Sequence, residues 1–454
     1  MPKNLRAAVL TVVAGTAILG STLVSTSPAL AIGPCPTLVQ GTDFTTFSDL
    51  QTLLTDKRFC DEGSMTVDFT SDFSWTDDNV IIWDGQDHQP LVLRGTGPNT
   101  PTITGYKAAV IENHSDGGLS VSNLTIKKGD VGSDNAIFGS NGNVALNNTT
   151  VLGRVGEDNG RAIRAGNGDV SITNSTIQDN ETGAGAGISV GGAHSVIVTD
   201  STISNNQATF QGGGGIYAET GTVTILNSTI SGNSAAPFGS GGGVYMSGAG
   251  SVVVTNSTIS GNSAAGGGGG VDTFGSITAT NSTITGNSAT ESAAKGGGLL
   301  GRGSAWNFKF TTIVDNTAGT GGGNNIADDS GSTAFTSIGS VIAATGQSSC
   351  TGVTPDATST YNATVADDSS CGFGQSGGPG NFSATTGELN LGALAVNANP
   401  SGTKTMLPNT GSKLINAVPA ATGQAAIGPN ATDQRGIART GEFWIGAAQQ
   451  APSS

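Results

Sequence analysis

The sequence predicts an all-β fold of stacked coils, each made of three short strands and three turns, and three observations predict it. The phrase Asn-Ser-Thr-Ile-Ser-Gly-Asn-Ser-Ala starts at Asn227, returns at Asn256, and returns with one change at Asn281. An apolar column at Ile126, Val151, Ile177, Ile203, Ile230, Ile259, Ile284, Ile313 and Ile338 marks nine rungs spaced 25–29 residues apart. A second apolar column stands 12–15 residues upstream of the first: Ile111, Ile137, Ile163, Ile188, Ile216, Val244, Val271, Leu299 and Ile326. A fixed period of about 20–50 residues is the mark of a solenoid. One such repeat cannot bury its own apolar side chains, so neighbours must stack into parallel sheets around a shared core, a parallel β-helix capped at both ends.

Each element of the repeat has its own signal. Between the two columns lies a third strand such as Thr222-Val223-Thr224-Ile225-Leu226, with period-two alternation. Three residues before the first column stand Asn123, Asn148, Asn174, Asp200, Asn227, Asn256 and Asn281. Three after it stand Asn180, Asn206, Asn233, Asn262, Asn287 and Asn316. Both sets read as corners, because Asn and Asp tolerate left-handed backbone and bond their own main chain, and as rungs of a ladder. Asn-x-Ser/Thr also reads as a glycosylation acceptor, but glycosylation explains none of the spacing. Glycine runs such as Gly212 to Gly215 and Gly266 to Gly270 supply low-cost corners. They lack the strand, helix and Gly-Lys-Ser/Thr ending of a phosphate loop. Composition agrees: charged residues are 11% of the chain against a usual figure of about 25%, and small and β-branched residues favour short strands.

The N-terminus reads as a signal peptide over residues 1–31: Lys3 and Arg6, an apolar run from Ala7 to Leu19, and the small-x-small site Ala29-Leu30-Ala31. Its apolar core falls short of the ~20 residues of a membrane span. Without Lys3 and Arg6 the formal charge moves from -15 to -17, which argues against nucleic acid and anionic membranes as partners. In an exported chain, Cys35, Cys60, Cys350 and Cys371 are expected to form two disulfides. Three pairings are possible, and the local one, Cys35 with Cys60 and Cys350 with Cys371, is preferred because each pair flanks one end of the repeats. No C-x-x-C spacing points to a metal, and Pro34 before Cys35 disfavours a lipoprotein. The expected organisation after the signal is an N-terminal cap over 32–65, repeats over 66–345, and a C-terminal module over 346–454 covering the other end.

Several segments resemble known sequences. The phrases NSTISGNSA and GGGIYAETGTVTILNSTISGNSA resemble the right-handed parallel β-helix repeats of bacterial surface proteins of the polymorphic-outer-membrane-protein type, and LVLRGTGPNTPTITG is similar to the segment that leads into them. From about residue 335, FTSIGSVIA, Cys350, Cys371, ELNLGALAVNANPSGTKTMLPNTGSKLINAV and TDQRGIARTGEFWIGAAQ resemble the C-terminal module of choice-of-anchor Q proteins. The resemblance spans roughly residues 66 to 448 and implies a right-handed coil and a bacterial, extracellular setting. The stretch around Asn397 departs from that module in lacking Gly-Gly and Thr-His, and Gln449 stands where an acidic residue is common. Leu407-Pro408-Asn409-Thr410-Gly411 matches a sortase signal, but no apolar span and basic tail follow it in this sequence, so it is read as the loop ahead of Leu414.

The fold alone names no activity, since lyases, depolymerases, adhesins and ice-binders share it. Acid and base crowd together at one place: Lys127, Lys128, Asp130, Asp134, Arg154, Glu157, Asp158, Arg161 and Arg164. The plain alternative there is a solvated loop with ion pairs worth about 0–1 kcal/mol each. Glu157 and Asp158 are consecutive between Gly156 and Asn159-Gly160, so nothing evident fixes them as catalytic groups. An outward column beside the upstream apolar one holds Glu112, Phe138, Arg164, Ser189, Tyr217, Tyr245 and Asp272. With rungs about 4.8 Å apart, Tyr217 and Tyr245 are neighbours, either a platform for sugar rings or a stacked pair that stiffens the face. No calcium-binding Gly-Gly-x-Gly-x-Asp repeat occurs, and the Thr222-Val-Thr224 pattern of an ice-binder is not continued on the next rungs. His88, His114 and His194 share no repeat position, and no serine has an evident base.

These readings predict a secreted or cell-surface, non-enzymatic protein, adhesive or carbohydrate-binding, with no cofactor, metal or catalytic residue. Its expected binding face is Arg154, Arg161, Arg164, Glu157, Asp158, Tyr217 and Tyr245. The alternative is a secreted polysaccharide lyase or glycoside hydrolase using the early charged patch. The ligand and the oligomeric state are not legible.

Overall fold

The computed structural model describes residues 33–57, 60, 62–85, 88–106, 109–129, 135–153, 160–302, 305–330, 333–344, 348–373, 378–397 and 402–449. The signal segment lies outside these residues. Among them the chain winds as a right-handed parallel solenoid through three sheets in turn. Sheet I has thirteen strands, from Thr37–Val39 to Val353–Pro355. Sheet II also has thirteen, from Phe73–Ser74 to Phe382–Ala384, and sheet III has eleven, from Ile81–Trp83 to Cys350–Thr351. The middle coils add a narrow sheet IV of five two-residue strands, from Glu181–Thr182 to Ser288–Ala289, between sheets II and III. Its Ala208, Ala235 and Ala264 form a small cluster of their own.

The inward columns follow the repeat. Ile230 pairs with Ile259 and Ile259 with Ile284 in sheet II, all fully buried. The sheet III column runs in register from Ile111 to Ile326 and extends to Ile81 and Cys350. Sheet II also extends, to Ile103 and Phe73. One rung differs from the sequence reading: Ile313 pairs with Ile342, while Ile338 ends the sheet I strand opposite Lys309. The corner before Ile342 is Gly339 at φ 62° where earlier rungs carry Asn. Without an Asn to mark the corner, spacing alone points to Ile338 in place of Ile342.

The two Asn sets do different work. Asn123, Asn148, Asn174, Asp200, Asn227, Asn256 and Asn281 all have φ of 47–54°, the left-handed corner expected of them. The second set does not turn the chain; the residue before it does, as Asp179, Asn205, Gly232, Gly261 and Gly286 show with φ of 54–65°. Asn180, Asn206, Asn233, Asn262, Asn287 and Asn316 point inward, at most 2% exposed. Each amide donates to the carbonyl of the next, at 2.8 Å from Asn180 to Asn206 and 2.9 Å from Asn233 to Asn262. From Asn206 to Asn316 each Oδ1 also accepts the backbone N–H one rung back. A serine ladder lines the opposite corner: the N–H of Ser175, Ser201 and Ser228 donates to the hydroxyl of Ser201, Ser228 and Ser257. The Ser of each Asn-Ser-Thr is therefore buried structure. Gly215 and Gly243 press against the Asn ladder, where an added Cβ would stand 2.6 Å from the next rung's carbonyl, which explains glycine at that place in the run.

Both disulfides form as expected, Cys35 with Cys60 and Cys350 with Cys371. At the N-terminal end helix α1 (Phe47–Lys57) buries Phe47, Leu50 and Leu54. Its Gln51 amide accepts from the N–H and donates to the carbonyl of Ile82, so a side chain takes the place of a strand on the open edge of sheet III. At the other end, residues 348–384 add further strands to the coil, and helix α2 (Thr386–Leu389) packs beside the last of them. The expected end-covering module then departs from expectation: residues 402–449 turn back along the outer face of sheet II.

That face carries a threonine ladder. Thr102, Thr125, Thr150, Thr176, Thr202, Thr229, Thr258, Thr283 and Thr312 stand in one register. Sequence reasoning sought such a ladder in sheet I and missed this one. Its companion column is mixed, with Lys127, Leu152, Gln178 and Ser204 in successive rungs, so no two-column Thr-x-Thr face results. The returning segment covers its last three threonines: Thr258 donates to the Lys404 carbonyl, Thr283 to Gln434 Oε1, and Thr312 accepts from the Ala447 N–H. The residues Leu407 to Gly411 form the turn into buried Leu414, held to α2 by Asn409 and Asn390. Thr385 and Glu388 form a capping box on α2, and Lys413 pairs with Glu388. Lys413 and the Thr385 donors hold the Glu388 carboxyl at about 2. Because that pKa is depressed, its contribution is complete above the unfolded value and is lost as pH falls from 4.5 toward about 2. Glu388→Gln is expected to flatten the acid limb of α2 hydrogen-exchange protection in that window.

Candidate functional site

The outward side of sheet III brings the candidate residues together. Pairing places Glu112, Phe138, Arg164, Ser189, Tyr217, Tyr245 and Asp272 in one column, as the spacing predicted. The Tyr217 and Tyr245 rings lie 5.9 Å apart, tilted by 55°, and the Tyr217 hydroxyl meets Ser247 at 3.2 Å. Burial, then the nearby Asp272 carboxylate, raises the Tyr245 pKa. Glycines shape the seat of each ring, since a Cβ at Gly212 would stand 2.5 Å from the Tyr245 ring.

Two exposed phenylalanines stand ahead of these strands. Phe210 and Phe238 lie in the turns that lead into the strands of Tyr217 and Tyr245, on successive coils, and are 66% and 71% exposed. Side chains of that size left in water on neighbouring rungs mark an interaction surface. Sequence reasoning missed them because they belong to turns, outside the repeating columns. Phe274, 40% exposed, stands in the turn that follows the strand of the next coil, with the Arg302 guanidinium 4.8 Å from its centroid.

The charged part of the expected face is described only in part. Arg154, Glu157 and Asp158 lie outside the described residues, as do Asp130 and Asp134. Arg161 is half-buried ahead of the strand Ile163–Ala165, and Arg164 is exposed over the Phe138 ring at 5.7 Å. Lys128 is buried and donates to the Gly160 carbonyl. Next to Phe138, His114 stands between two carboxylates: Asp84 is 2.6 Å from Nδ1 and Glu112 is 3.4 Å from Nε2. Asp84 comes from the preceding coil, which is why the grouping was not visible as a local motif.

Asp272 corrects the sequence reading. It occupies the outward column but is fully buried, as the glycine corner at Gly268 and the Lys295–Gly296 loop close over it. Arg302 grips it with two N–H groups at 3.3 and 2.9 Å and also reaches Asp329 at 3.3 Å, where Lys295 joins at 3.0 Å. Burial raises its pKa, opposed by Arg302. Ser189, at 8% exposure, is likewise closed over. The outward column of sheet III is thus open at Glu112, Phe138 and Arg164, closed at Ser189, open again at Tyr217 and Tyr245, and roofed at Asp272. Among the described residues no cluster of three His, Cys, Asp or Glu is arranged to hold a metal ion, and no helix is long and apolar enough to cross a membrane.

The family described as the right-handed β-helix region matches residues 108–284 and, overlapping these, 165–365. No curated protein matches the chain.

Proposed function

Because the chain belongs to the right-handed β-helix family, we propose that it is a secreted or cell-surface protein, without enzymatic activity, that engages carbohydrate or another surface through the open face of sheet III. The observation that carries this reading is the aromatic patch of Phe210, Tyr217, Phe238 and Tyr245 on two neighbouring coils. Flat, partly exposed rings on a rigid sheet supply contact area at little entropic cost. The Asp272 carboxylate at its end is buried against Arg302 rather than open to a substrate, which favours binding over bond cleavage. Secretion is supported by the basic, apolar and small-x-small order of residues 1–31 and by two disulfides. We read the repeats as the polymorphic-outer-membrane-protein type and the C-terminal part as a choice-of-anchor-Q-like module, on the phrases quoted above.

A second reading rests on the Asp84, His114 and Glu112 grouping: a polysaccharide-cleaving enzyme with acid and base at the other end of the same face. A glycan array probed with the secreted protein, run with a reducing-end release assay on plant and bacterial polysaccharides, separates the two. We expect glycan retention without new reducing ends, unchanged by the double substitution Glu157→Gln, Asp158→Asn. Release of reducing ends, lost in His114→Ala or in that double variant, would establish the enzyme instead.

A further inference from the structure

Where the returning C-terminal segment crosses the end of sheet II, the seam holds a half-open cavity of about 200 Å³. Its floor is apolar: Val314, Ala343, Leu389 and Met406 are each at most 8% exposed. Asp315, an exposed residue, stands at the rim and is the one ionisable residue among those that line it. Its carboxyl is partly buried against the seam, which raises its pKa, with no hydrogen bond or cation acting against that penalty. The turn does not call for a carboxylate, since Gly232, Gly261 and Gly286 make the same left-handed corner on the three preceding coils and Asp315 makes it at φ 54°.

We propose that this cavity binds a primary ammonium ion carrying a benzene-sized apolar group. An apolar cavity of about 150 Å³ is large enough for benzene, so this one holds such a ring with its methylene. The exposure gradient sets the direction: the ring enters first, and the ammonium stays at the rim in a charge-assisted hydrogen bond to Asp315. A lysine side chain of another protein would enter with its ammonium leading and leave the floor unfilled, so the ligand is a free amine. The site is independent of the aromatic face of sheet III.

The test is a titration of the whole protein with benzylammonium, benzyl alcohol and benzoate, followed through the NMR signal of the Met406 methyl. The proposal expects saturable binding of benzylammonium at least tenfold tighter than benzyl alcohol, and no binding of benzoate. Asp315→Asn should reduce the two to equal affinity. Asp315→Gly, a residue that this corner already accepts on other coils, should do the same and guards against misfolding of the first variant. Met406→Trp should fill the cavity and abolish binding of both. Equal affinity of amine and alcohol in the native protein, binding unchanged by either Asp315 variant, or no saturable shift at Met406 would each overturn the assignment.

Discussion

Asn262→Ala is expected to destabilise the folded coil by about 3–5 kcal/mol, since each buried group left without a partner costs about 1–3 kcal/mol. The Asn262 carbonyl accepts both the N–H of Asn233 and its amide, while its own amide donates to the Ile230 carbonyl and to Asn287. Removing it orphans groups on two neighbouring coils inside a cavity that only an amide fills. Asn227→Gly is the control, because that residue holds a left-handed corner on the outside, a conformation glycine adopts freely, and a change of only a few tenths of a kcal/mol follows. Chemical denaturation midpoints of the two variants check the distinction between turning and ladder asparagines. Similar losses at both sites would contradict it.

Arg439→Ala is expected to free the returning segment from sheet II at a cost of about 2–6 kcal/mol, from three acceptors losing a charged donor worth about 1.5–3 kcal/mol each, offset as follows. The Arg439 guanidinium is fully buried, donates to Asn281 Oδ1 and to the carbonyls of Trp444 and Gly446, and lies 4.6 Å over the Phe310 ring. Burial pulls its pKa from the ordinary guanidinium range down to about 10, a charge penalty of about 3 kcal/mol that the three hydrogen bonds outweigh. For a basic group the depressed value means that this penalty is complete at neutral pH and is relieved only as pH rises above about 10 toward the ordinary guanidinium range. Phe310 takes the left-handed corner that Asn holds on earlier coils, and its ring receives the Arg439 guanidinium there. Hydrogen exchange should show residues 402–449 deprotected in the variant while the coils between Ile126 and Ile259 keep their protection. Loss of protection throughout the coil would show instead that the segment and the solenoid unfold as one.

How far the sequence could be read follows from which residues repeat. The Ile230, Ile259 and Ile284 stack was legible because each coil restates the same phrase, and the Asn227 type of corner was legible because few residues accept positive φ. The Asn233 type was misassigned to a turn, since an inward amide and a turning amide occupy equally regular positions in the chain. Ile338 was misplaced for want of an Asn at Gly339. The threonine ladder went unseen because its members were read as part of the corner phrase. At the site, the Tyr217 and Tyr245 pairing was predictable from strand register. Phe210 and Phe238 were not, because turns differ from coil to coil, and Asp272 was called exposed because loops that roof a column leave no periodic trace. The docking of residues 402–449 was illegible for the same reason: a non-repeating segment carries no register.

The proposed role of the open face of sheet III is to hold a glycan and leave it intact. The most direct measurement is a hydrogen-exchange footprint with the tightest glycan from the array, combined with the mass of that glycan before and after incubation. Protection confined to the turns and strands from Phe210 to Ser247, lost in a Phe210→Ser, Phe238→Ser variant that folds normally, with the glycan recovered at its original mass, is the predicted result. Protection on sheet I or on the threonine face of sheet II, or a shortened glycan, would contradict it.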